Sequence, residues 1–148
     1  AGVISDRVFQ SRRGPVAAIL YGGMLIGSII MTFTYQTDFL PWLVILMSVC
    51  VIGVHGMLSG TASMDFGGKK NVGVAVGIID GFVYAGTAVM SITYGIILPD
   101  DTVQEVAANP DNWISWPISM IPLSLLGLIL ATRIWNATPK GKQAKKAE

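Results

Sequence analysis

The sequence predicts an all-α membrane protein with four transmembrane helices, and three observations predict it. Apolar residues make up 52% of the chain, charged residues only 13%, and mean hydropathy is +0.60; a soluble domain carries about 25% charge. Four apolar runs, at about 14–33, 41–63, 72–98 and 113–135, are each long enough to cross a hydrocarbon core of about 30 Å. All ten lysines and arginines lie before the first run, between the second and third, or from the end of the fourth onward. Membrane strands would alternate apolar and polar residues over about ten positions, whereas these runs are continuous and roughly twice as long.

Residues 1–13 read as a polar hinge, because Asp6, Arg7, Arg12 and Arg13 cannot lie in hydrocarbon. The opening Ala1-Gly2-Val3-Ile4-Ser5 reads as the inner end of a helix already under way, and no signal peptide is indicated. A fragment lacking an N-terminal part is therefore expected. Pro15 suits a first helical turn, where its missing N–H is no loss. Gly23 and Gly27, four apart, permit close helix packing.

A loop over 34–40 without basic residues leads to Pro41, which opens the second run; that run ends in the polar stretch 59–63 and carries His55. The loop 64–71, with Lys69 and Lys70, precedes the third run. Pro99 stops that run, and the segment 99–112 holds Asp100, Asp101, Glu105 and Asp111 with no lysine or arginine. In the fourth run Pro117 falls near the first turn, and Pro122 is expected to kink the helix. Residues 136–148 read as a solvated basic tail.

The distribution of basic residues sets orientation: the hinge, the middle loop and the C-terminus are expected on the cytoplasmic side. Tyr35, Trp42, Tyr94, Trp113 and Trp116 near the outer ends, and Trp135 near the inner end, fit interfacial belts. The single cysteine, Cys50, allows no disulfide framework, and no metal-ligand spacing occurs. One histidine in an apolar run gives no nucleophile–base–orienter set, so no enzyme chemistry is expected. The tail is too short and poor in aromatics for nucleic-acid recognition, though it could touch anionic lipid.

Three constellations could carry function. Asp6 and Arg7, with Arg12 and Arg13 following, fit a tight turn, read either as a charge-relay latch or as a plain positive-inside loop. Asp80 lies about 12 Å into the membrane at 1.5 Å per residue, level with His55 on an antiparallel helix and one turn from Tyr84. It is either part of a transport pathway, with a His55 or Tyr84 contact, or a structural hydrogen-bonder. Gly73, Gly77 and Gly81, continued by Ala85, form a small-residue stripe for close helix packing, which could also serve as a sliding surface.

These residues carry a resemblance. Gly2-x-x-x-Asp6-Arg7 followed by Arg12-Arg13-Gly14 resembles the loop signature of the major facilitator superfamily in its second-half copy. Lys69-Lys70-x-x-Gly73-x-Ala75-x-Gly77, then Phe82-x-Tyr84-x-Gly86, is similar to the eleventh-helix region of the organophosphate:phosphate antiporter family. Ser63-Met64-Asp65-Phe66-Gly67 and Ile78-Ile79-Asp80-Gly81 resemble the sugar-phosphate exchangers of that family. The resemblance implies that residues 1–135 are the loop after helix eight plus helices nine to twelve, part of the C-terminal six-helix half. It implies a secondary transporter with alternating access, in a bacterial inner or plasma membrane, exchanging an organophosphate for phosphate. No cofactor is implied. The partners are the lipid bilayer, a phosphorylated solute and the rest of the transporter. The second and third spans would line or flank the cavity, and the first and fourth would face more lipid. The arginines that grip phosphate in that family lie on helices one and seven, outside this sequence. A facilitator of another solute, a stand-alone four-span adaptor and a phosphate-sensing receptor are the rival readings.

Overall fold

A computed structural model describes residues 1–137, the side chains of Phe66 and Lys69 apart. The expected tail falls mostly on residues 138–148, outside the described residues. Helices account for most of the described chain, and among these residues there is no strand. Helix α1 is Gly2–Val8, α2 Arg13–Thr34, α3 Leu40–His55, α4 Ser63–Ile97, α5 Gln104–Ala107 and α6 Ser115–Arg133. Four helical stretches are long and apolar enough to cross a membrane: Arg13–Thr34, Leu40–Asp65, Lys70–Ile97 and Pro110–Arg133.

Two boundaries differ from expectation. The loop expected over 64–71 is helical except at one residue: Gly68 (φ 66°, ψ 171°) breaks the backbone, and the chain doubles back there. Gly67 lies against Val72 and Ala75, as a hairpin with no loop requires. A positive φ is open to glycine without the penalty an L side chain meets, so two adjacent glycines replace a longer connection. The second difference is a π-helical segment, Gly56–Ala62, that joins α3 to α4. The wider turn leaves carbonyls poorly matched, and hydroxyls fill in: Thr61 donates to the Met57 carbonyl at 2.8 Å, and Ser63 to those of Ser59 and Gly60.

The hinge of 1–13 also contracts. Its first part is α1, and the turn occupies 9–12, with Gln10 (φ 55°) and Ser11 (φ 65°) both left-handed. That conformation costs roughly 1–2 kcal/mol for each such residue. Ser5, fully buried, holds the turn. Its hydroxyl donates to the Arg12 carbonyl at 2.8 Å, and its carbonyl accepts from the Ser11 amide at 2.8 Å.

The centre of the bundle is α2, which packs along α6 on one side and α3 on the other. Val16, Ala17 and Ala18 meet Met57 and Ala131 towards one end; Met31, Leu43 and Met47 meet Trp116 and Met120 towards the other. Glycines make the contacts possible. A methyl at Gly127 would fall 2.2 Å from the Tyr21 ring, one at Gly27 2.8 Å from Met47, and one at Gly23 3.2 Å from the Cys50 sulfur. The Gly23 and Gly27 expectation is thus met. Ser28 and Ser124, both buried, face each other across the α2–α6 contact at 3.4 Å. Pro122 sits inside α6, which runs on to Arg133.

The third span is different. No residue from Lys70 to Ile97 is buried. The Gly73, Gly77 and Gly81 stripe has nothing within 4 Å of where side chains would be, so the close packing expected of it is not made within this chain. Within this chain α2 is the most enclosed of the four spans.

At one end of the bundle Gln36 donates to Asp111 at 2.8 Å, joining the turn after α2 to the acidic connection before α6. In that connection Asp100 accepts from the Thr102 hydroxyl at 2.6 Å and its amide at 2.9 Å, which hold its carboxyl below the usual range. A depressed carboxyl stabilises the turn above its unfolded pKa, and the benefit fades as pH falls through the lowered value.

The Tyr21–Gly127 contact gives a test. Gly127→Ala should destabilise the protein by about 1–3 kcal/mol through overpacking, read as a lower melting temperature in detergent. Adding Tyr21→Val should recover most of the loss; a double variant no more stable than the single one would mean that the ring is not the obstruction.

Candidate functional site

Two polar assemblies stand out, one at the end where α1 meets α2 and one within the spans. At the first, Arg13 opens α2 and is buried to 6% exposure. Its guanidinium reaches Asp6 at 2.9 Å through Nη1, and Asp65 at 2.7 Å through both Nε and Nη2. The fork geometry of arginine suits such a bridge. It ties together α1, the start of α2 and the end of the second span, which are 7 and 52 residues apart in sequence. The left-handed turn at Gln10 and Ser11 delivers Arg13 to this place. Of the other expected members of this cluster, Gly2 lies against Thr61, Arg12 donates through Nε to the Phe9 carbonyl at 3.3 Å, and Arg7 is exposed.

The second assembly joins the second and third spans. The Ser59 hydroxyl donates to Asp80 Oδ1 at 2.8 Å. Ser59 sits in the π-helical segment, four residues beyond His55. Asp80 and Ser59 are half-buried, whereas His55 and Tyr84 are exposed. Neither His55 nor Tyr84 hydrogen-bonds Asp80 among the described residues; the carboxylate takes Ser59 instead. His55 lines an apolar cavity of about 240 Å³ with Leu58, Ile79 and Val83. A neighbouring cleft of about 330 Å³, lined by Met24, Met47, Met90 and Met120, shares Tyr21, Met24 and Val51 with it. A charge within a span is expensive in lipid and belongs against protein or water, and a hydroxyl donor supplies part of that.

Sequence reasoning did not pair Asp65 with Arg13 or Ser59 with Asp80. Both were visible as polar residues in or beside apolar runs. A count from the hairpin would have set Ser59, six residues before Asp65, against the early third span. The π turn that aims Ser59 has no sequence signature beyond its glycines and hydroxyls.

The assembly is that of an integral multi-pass membrane protein, with polar groups bridging its spans. Comparison with known proteins finds similarity to transporters of phosphorylated solutes. The chain is 25% identical over 142 residues to a probable hexose phosphate transport protein of Chlamydia trachomatis, covering 93% of the chain and 28% of that protein. It is 26% identical over 146 residues to the glycerol-3-phosphate transporter of Bacillus subtilis, covering 97% of the chain and 30% of that protein. It is 26% identical over 149 residues to a probable hexose phosphate transport protein of Chlamydia pneumoniae, covering 98% and 30%. The chain thus spans less than a third of the length of these relatives. No family model and no solved structure matches it.

The Arg13 bridge predicts an order of effects. Asp65→Asn, which removes the less exposed partner (24% against 51% for Asp6), should lower thermal stability more than Asp6→Asn. Arg13→Ala should cost most, on the order of 3 kcal/mol, since it removes the buried cation that Asp6 and Asp65 share. Thermal unfolding of the purified variants in detergent reads the order; equal effects of Asp6→Asn and Asp65→Asn would show that burial does not govern the bridge.

Proposed function

We propose that this chain forms helices nine to twelve of a secondary transporter that exchanges a phosphorylated solute for phosphate. The observation that carries the proposal is an intramembrane carboxylate, Asp80, held by a serine of the neighbouring span, in a chain similar over nearly its whole length to hexose phosphate and glycerol-3-phosphate transporters. Such a carboxylate is a functional feature by default. The loop signature at Gly2–Gly14 and the order of the spans support the same reading.

In this reading the Arg13 end is cytoplasmic, in keeping with the basic residues that flank it. Arg13 holds the inner ends of α1, α2 and the second span together in one conformation and releases a carboxylate in the other, as alternating access requires. The third span, least enclosed by this chain, flanks the solute path and meets the rest of the transporter with its glycine face. The principal phosphate ligands belong to helices outside this chain, and Asp80, His55 and Tyr84 neighbour the path. The chain's own share of the mechanism is to supply a latch and one wall.

Reconstitution of the transporter containing this chain tests the proposal. Vesicles loaded with phosphate should take up labelled hexose 6-phosphate or glycerol 3-phosphate, and should not take up the unphosphorylated sugars. Asp80→Asn should slow that uptake by about tenfold or more, the value of a hydrogen bond to a charged group, with membrane insertion intact. Equal uptake of sugars and sugar phosphates would point to a transporter of another solute class.

A further inference from the structure

Most hydroxyl groups in the spans share one habit, and Ser59 does not. Thr32, Ser48, Thr87 and Thr93 each donate back to the carbonyl four residues earlier in their own helix, at 2.8–3.0 Å. Ser28 and Ser124 do the same while facing each other. That back-bond satisfies a hydroxyl within its own helix. Ser59 instead crosses to Asp80, and the π-helical turn around it provides the rotation. π-helical turns are frequent at functional sites.

The charge inventory is the second observation. From Gly14 to Gly68, and again from Asn71 to Thr132, the sequence has no lysine or arginine. Asp80 is the one carboxylate between Val72 and Leu98. A phosphate group brought to this pair would meet a negative charge with no lysine or arginine from this chain's spans to offset it. An ionised carboxylate only accepts hydrogen bonds, at two oxygens. Oδ1 takes the Ser59 hydroxyl, and Oδ2 has no partner among the described residues. His55 and Tyr84, one turn away on either helix, are exposed, and each can donate or accept. Ile79, beside Asp80 in sequence, and Val83 line an apolar cavity with His55 and Leu58. A carboxylate acceptor, amphoteric side chains one turn away on each helix and an apolar cavity lined from the same two helices match a polyhydroxyl chain or ring, whose O–H groups donate and whose C–H faces are apolar.

We propose that the Asp80–Ser59 pair binds the hydroxyl-bearing end of the solute and turns the phosphate end away, so that it selects phosphate esters of polyols over inorganic phosphate. This rests on the transport reading above and adds what this wall recognises. Ser59 positions the carboxylate, and Asp80 accepts the solute's hydroxyls.

The test is a ratio measured on the reconstituted transporter: the KM for hexose 6-phosphate divided by the KM for inorganic phosphate. Asp80→Asn should raise it about 10- to 100-fold, the value of a hydrogen bond to a charged acceptor, with a smaller change in kcat. Ser59→Ala, which keeps the carboxylate and frees its aim, should raise it less, and Asp80→Glu should recover part of the loss. Gel filtration in detergent checks that each variant is folded; if Asp80→Asn is not, Ser59→Ala and Asp80→Glu decide. A ratio unchanged in folded variants overturns the inference, whether both solutes slow together or neither does. A wild-type protein that exchanges neither solute overturns the transport reading itself.

Discussion

In hydrocarbon one apolar helix gains little by choosing another over lipid, so association depends on how closely backbones can approach. The fold rests on that constraint at α2. Tyr21 lies over Gly127, Met47 over Gly27, Leu20 against Gly53, and the backbone of Ile134 against Gly14. Each contact sets a large group on a position with no side chain, so dispersion is gathered over surfaces that touch. The helix that receives these contacts becomes the hub, and α3 and α6 are positioned by it. The third span, whose glycines receive nothing from this chain, is the exception.

Polar groups then fix what close packing leaves free. Apolar contact tolerates sliding, whereas an ion pair or a short hydrogen bond has one register. Arg13 sets the register at one end, Ser59 with Asp80 within the spans, and Gln36 with Asp111 at the other end. The Ser119 hydroxyl, 3.2 Å from the Tyr94 hydroxyl, adds a link from α6 to the third span. The third span is therefore held to its neighbours in good part by polar contacts, which water or a solute can replace, whereas α2 is held by contacts that neither can.

Much of this was legible in the residues. Continuous apolar runs and confined basic residues establish four spans, because membrane thickness and charge leave few alternatives. The similarity to sugar-phosphate and glycerol-phosphate transporters was expected from the resemblance of the motifs around Asp6, Gly73 and Tyr84. Side-chain partners were less legible. A glycine every fourth residue describes a face without saying what meets it, so Gly73, Gly77 and Gly81 read like packing residues, as Gly23 and Gly27 do. Asp80 was visible as an anomaly, but its partner depends on a local change of helix pitch that leaves no periodic trace. Gly67 and Gly68 stood within a polar stretch that reads as an ordinary loop, yet a reversal needs only one residue when that residue can take a positive φ.

That reversal gives the second and third spans a common pivot. The third span is 28 residues long, or roughly 42 Å at 1.5 Å per residue. Swung about Gly68 by roughly 10°, its far end travels about 7 Å over that length, while residues near the pivot barely shift. Asp80, about a third of the way along, would travel between 2 and 3 Å on the same estimate, about the reach of one hydrogen bond. The hairpin thus has the geometry of a lever with its fulcrum at Gly68: a displacement of several ångströms at its far end would correspond to about one hydrogen-bond length at Asp80.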